Sequence, residues 1–122
     1  MSGLRPFPAF SRGLQGLGGV LAALSVALAA YASHGVEMAA RGNLQTAAVF
    51  AFGHGIALAA LAPGCTRRLG GAALVMIAAG VLLFSGSLAL AHFAGVPTRF
   101  APLGGSLMIL GWLGFAADAI RR

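Results

Sequence analysis

The chain has 122 residues, of which 59% are hydrophobic and ten carry a formal charge: eight Arg, one Glu and one Asp, with no Lys. A soluble domain draws about a quarter of its residues from Asp, Glu, Lys and Arg, so a charged share of 8% and a mean hydropathy of +0.92 exclude a water-soluble globule. The same numbers exclude a disordered chain, which needs low hydrophobicity.

A membrane-crossing helix needs about 20 mostly apolar residues at 1.5 Å rise each, and the charges divide the chain into four stretches of that order. The first covers 13–33. Arg5 and Arg12 before it and Ala30-Tyr31-Ala32 at its end imitate a cleavable secretory signal, but the run exceeds a usual signal core and is read as a retained span. The second covers 44–62, with Asn43 as its expected N-cap and Pro63-Gly64 closing it. The third covers 69–92 and is followed by Gly95-Val96-Pro97. The fourth covers 101–120, with Pro102 suited to its first turn. The strict alternation of a membrane β-strand is absent. The expected fold is therefore all-α: one membrane domain over 1–122, an integral four-helix bundle whose short loops make neighbouring spans antiparallel.

Orientation is read from the arginines, because cytoplasmic loops are enriched in Lys and Arg. Arg5, Arg12, Arg67, Arg68, Arg121 and Arg122 fall on one side and only Arg41 and Arg99 on the other. Both termini are expected in the cytoplasm, with the protein a multi-pass resident of a bacterial inner membrane. These arginines sit in pairs at helix ends, where they label topology and meet lipid headgroups. No basic patch for nucleic acid results.

In lipid, helices associate through close packing of small residues. Expected contact rows are Gly19, Ala23 and Ala27 on the first span, Ala73, Gly80 and Ser87 on the third, and Gly104 and Gly111 on the fourth. They serve contacts within the bundle or between subunits. Trp112, far from the interfacial belt where Trp is commonest, is expected to fill a gap between helices or to meet a partner. Cys65 stands alone, which excludes an internal disulfide; it is either an incidental loop thiol or one made reactive by Arg67 and Arg68.

Ionisable groups inside a span are costly and are functional candidates by default. His34 and His92 fall roughly 16 to 18 Å from the bilayer centre on the outer side and His54 about 2 Å from it. The outer pair is placed to meet, either as ligands of a haem b or a metal, or in a polar cluster with Glu37 and Arg41 at the helix ends. His54 is either a proton relay or quinone donor, or a structural hydrogen-bonding group with Ser85 and Ser87 as natural partners. Asp118, four residues before Arg122, is expected to form a local ion pair with it. No nucleophile lies beside a base, and there is no carboxylate pair, phosphate loop or Cys/His ligand set, so no catalytic residue and no metal site is assigned.

Ala32-Ser33-His34-Gly35, the segment Phe50-Ala51-Phe52-Gly53-His54-Gly55, then Leu83-Phe84-Ser85-Gly86-Ser87-Leu88, and Ala101-Pro102-Leu103-Gly104-Gly105 leading to Gly111-Trp112 together resemble a small four-span membrane family. This is the transmembrane protein 256-like family, domain of unknown function 423. That family usually carries Tyr-Gln where this chain has Phe50-Ala51, so a polar pair beside His54 is missing. The resemblance implies a four-span fold and no cofactor or catalytic residues. Three functions follow as expectations: a non-enzymatic accessory subunit that packs on partner subunits or on itself, a haem-, metal- or quinone-binding redox protein, and a small oligomeric transporter lined by His54.

Overall fold

The computed structural model describes residues 8–121, folded as four helices: α1 (Pro8–His34), α2 (Met38–Leu61), α3 (Arg68–Ala94) and α4 (Ala101–Arg121). Each is long and apolar enough to cross a membrane. A 3-10 turn over Ala62–Gly64, with Pro63 in it, closes α2. At the end of α3, Gly95 adopts a left-handed conformation (φ 68°), a C-cap geometry open to a residue without Cβ.

The helices are longer than the apolar runs. α2 starts at Met38, six residues before the expected 44, and its N-cap is Glu37; Asn43 lies inside the helix and caps nothing. Polar residues do not stop a helix that leaves the hydrocarbon, since Arg41 hydrates at the interface while the backbone stays bonded. Arg41 also donates from Nη2 to the Val36 carbonyl at 3.1 Å, bridging the α1–α2 turn.

Two helical hairpins make up the bundle. α1 packs on α2 and α3 on α4, α2 joins the hairpins through α3, and α1 touches α3 only marginally. Glycines close each hairpin. A Cβ on Gly55 would lie 2.7 Å from the Gly18 carbonyl oxygen, and one on Gly18 would strike Gly55 in return. A Cβ on Gly104 would lie 2.6 Å from the Gly80 carbonyl oxygen, and one on Gly111 2.6 Å from Ile77 Cγ1. Backbones this close gain dispersion contacts that lipid tails cannot match.

The small-residue rows on α3 and α4 therefore lie at the interface: Ala73, Gly80, Ser87, Gly104 and Gly111 are all buried. The row expected on α1 makes no contact within the bundle. Gly19, Ala23 and Ala27 are exposed, and the contact face repeats as Ser11, Gly18, Ser25 and Ala32. One residue along a helix is a 100° rotation, so choosing Gly19 over Gly18 turned the row out of the bundle. The core inside these contacts is built from Leu14, Leu21, Leu58, Leu74, Ile77 and Val81.

Candidate functional site

Polar side chains in the spans converge on links between the two hairpins. His54 points from α2 toward α4, where Trp112 Nε1 donates to His54 Nε2 at 3.0 Å, and His54 Nδ1 lies 2.9 Å from the carbonyl oxygen of Phe50 one turn back. An indole N–H can only donate. Nε2 must therefore accept, which leaves the proton on Nδ1, directed at Phe50. Both ring nitrogens are occupied, and the tautomer is set by its partners. Phe50 stacks on the imidazole (centroids 5.8 Å apart, planes 12° from parallel) and meets Phe84 of α3 at 4.8 Å, so α2, α3 and α4 share one aromatic cluster.

Beside this cluster lies an open groove of ≈ 630 Å³, lined among others by Phe50, His54, Phe84, Met108 and Trp112. Its walls are almost wholly apolar, and the two polar residues in it already bond to each other.

Ser85 does not bond His54. Its buried hydroxyl donates to the Ala47 carbonyl at 2.8 Å, joining α3 to α2 on a different face. Ser87 is also buried, and its hydroxyl makes no hydrogen bond among the described residues. The serines were the natural candidates because hydroxyls are the usual interhelical donors. The signal for the actual partner was Trp112 itself, a donor inside a span with no acceptor of its own.

Near the ends of α1 and α3, His92 meets Tyr31 (Oη to Nε2, 3.1 Å), and Phe93 packs on both rings, centroids 5.4 Å from Tyr31 and 4.9 Å from His92. This bond links α1 to α3, which otherwise scarcely touch. His34 is exposed at the last residue of α1. Glu37 is exposed as well and acts through its backbone, its carbonyl accepting from the N–H groups of Ala40 and Arg41. Among the described residues, no three His, Cys, Asp or Glu side chains cluster as a metal site would require.

At the end of the bundle formed by the start of α1, the α2–α3 connection and the end of α4, Asp118 pairs with Arg67: Arg67 Nε stands 3.0 Å from Oδ1. The expected partner, Arg122, lies outside the described residues. Asp118 is buried against α3, where Gly70 makes room for it, since a Cβ there would sit 2.8 Å from Oδ2. The heptad that places Gly104 and Gly111 on α3 continues to Asp118 and aims it at the loop holding Arg67. Cys65 is buried in the same region, its Sγ 3.7 Å from the Arg67 carbonyl and in contact range of Gly71.

Fold and site together define a small polytopic membrane protein whose intramembrane polar groups lock its helices to one another. The chain belongs to the DUF423 family, described as a protein of unknown function, whose profile matches residues 28–105. That stretch contains His34, His54, Ser85 and Ser87 and ends before Trp112 and Asp118. No solved structure matches the chain.

Proposed function

We propose that the protein is a non-enzymatic accessory or structural subunit that packs against a larger, respiratory-type assembly in a bacterial inner membrane. The observation that carries this reading is how the polar groups between the two hairpins are bonded. His54, Trp112, Ser85, Tyr31 and His92 bond each other or a backbone carbonyl across the hairpins. A proton relay, an axial haem ligand or a quinone donor needs a nitrogen or hydroxyl turned toward its substrate; here those atoms hold helices in register. Meanwhile α1 and α4 present Val20, Leu24, Val26, Ile109, Leu110 and Leu113 to their surroundings. Arg12, Arg67, Arg68 and Arg121, at the end formed by the start of α1, the α2–α3 connection and the end of α4, support an orientation with the termini in the cytoplasm.

The test is the composition of the native species after extraction in a mild detergent. The expected result is a particle much heavier than one or two copies of the chain, containing other polypeptides, with a featureless visible spectrum and no extractable quinone. Recovery only as a small particle of this chain alone overturns the reading, and a haem band or stoichiometric quinone replaces it with the redox alternative.

A further inference from the structure

One face of α2 is used by neither hairpin. Met38, Gly42, Gln45, Val49, Phe52 and Ile56 follow the alternating four- and three-residue spacing of a heptad seam, and all six are exposed. The residues that face the bundle, Leu44, Ala48, Ala51, Gly55 and Leu58, run along a different stripe of the same helix. A seam of this spacing is the pattern with which one helix lays knobs into the holes of another.

Gln45 is its polar member inside the span. It lies six residues outward of the midpoint of the Met38–Gly64 stretch, about 9 Å from the bilayer centre and so within the roughly 15 Å half-thickness of the hydrocarbon. Among the described residues its amide has no hydrogen-bond partner, and lipid tails supply none. Beside the seam runs an open groove of ≈ 700 Å³ between α1 and α2, lined by Val26, Ala29 and Ser33 opposite Gln45, Val49 and Phe52, with no charged residue in it.

We propose that this seam pairs with the same seam of a second copy, giving a parallel dimer in which the two Gln45 amides hydrogen-bond to each other. Copies inserted in the same orientation are related by a two-fold axis along the membrane normal, so their α2 helices run parallel and equal positions meet at equal depth. A carboxamide is its own complement, with one acceptor oxygen and two donor hydrogens, and the second copy delivers that complement to Gln45 by symmetry alone. A single polar residue in an otherwise apolar seam also fixes register and oligomer number. Val49 and Phe52, 68% and 44% exposed, are the knobs, and the α1–α2 groove of the other copy receives them. A lipid chain would fill the groove but leave the amides unpaired at this depth.

The full chain, labelled at its N-terminus with donor or acceptor dye, is reconstituted in phosphatidylcholine liposomes, and energy transfer is followed as lipid dilutes the protein. Transfer should fall along a monomer–dimer curve, and Gln45→Leu should raise the dissociation constant about tenfold. Gln45→Asn should keep most of the affinity, and Trp112 emission should be unchanged in both variants, which separates lost pairing from misfolding. In native membranes, Val49→Cys in a Cys65→Ser background should form a disulfide between copies on oxidation, whereas Leu82→Cys, exposed on α3, should not. No transfer at any dilution, transfer indifferent to Gln45→Leu, or cross-linking of Val49→Cys only to a different polypeptide overturns the proposal. The dimer is distinguishable from the larger assembly above, because it forms from purified chain alone.

Discussion

Trp112 carries the chain's single indole, and its N–H needs an acceptor wherever water is excluded. His54 supplies one because its other nitrogen is directed at its own helix, at the Phe50 carbonyl. Each group makes the other tolerable in the bilayer, so removing one strands the other. Trp112→Phe leaves Nε2 of His54 without a donor, and His54→Phe leaves the indole N–H without an acceptor. Interhelical bonds of this kind are worth about 0.6 kcal/mol on average and up to about 1.7 in a membrane. Each single variant is expected to lose about 1 kcal/mol of stability in detergent unfolding, and the double variant less than the sum of the two. Strict additivity would mean that the two side chains do not interact. His54→Phe should also shift the emission of Trp112, a direct optical readout of the contact.

At the level of the helices, two kinds of contact divide the labour. Glycines close each hairpin, with Gln15 Nε2 also donating to the Ala59 carbonyl inside the first at 3.3 Å, and three polar bonds join one hairpin to the other: Tyr31–His92 between α1 and α3, Ser85–Ala47 between α3 and α2, and Trp112–His54 between α4 and α2. This division makes glycine substitutions strongly position-dependent. Gly104→Ala places a methyl 2.5 Å from the Phe84 backbone nitrogen and 2.6 Å from the Gly80 carbonyl oxygen, atoms that cannot move aside without separating α3 from α4. The expected cost is about 2 kcal/mol, within the range for overpacked interiors. Gly86→Ala, also inside α3 but with nothing within 4 Å of the added carbon, should be neutral or slightly stabilising, because alanine loses less backbone freedom in a helix. Thermal unfolding of the two variants side by side checks this, and equal losses would refute the α3–α4 contact. The same comparison marks what was legible in the sequence. Four spans could be read because hydropathy reports immersion in lipid, and Gly80, Gly104 and Gly111 because heptad spacing on adjacent antiparallel spans matches. The phase of α1 was hidden: Gly18 and Gly19 are chemically identical neighbours, and in a chain where nearly every residue is apolar there is little contrast between a lipid-facing and a bundle-facing side. The partner of His54 was hidden for the same reason, since it depends on which face of α2 meets α4, and the Arg67–Asp118 pair because it joins residues 51 positions apart.

For the whole molecule, four crossings put both ends of the bundle's chain on one side, and the arginine distribution predicts which. Arg12, Arg67, Arg68 and Arg121 gather at the end of the bundle formed by the start of α1, the α2–α3 connection and the end of α4, while Arg41 and Arg99 stand at the other. Insertion retains arginine-rich short loops on the cytoplasmic side, and three separate segments carry the same bias, so no single loop has to set the orientation alone. A fluorescent protein fused to the C-terminus is therefore expected to fold and fluoresce, and a secreted phosphatase at the same position to stay inactive. Thr98→Cys, in the exposed connection between α3 and α4, should react in intact cells with a thiol reagent that cannot cross the membrane. Cys65, buried at the opposite end, should not react. Active phosphatase together with protected Thr98→Cys would reverse the orientation. It would also move the Arg67–Asp118 pair to the outer face, so that any cytoplasmic partner would meet the end that carries Glu37, Arg41 and Arg99.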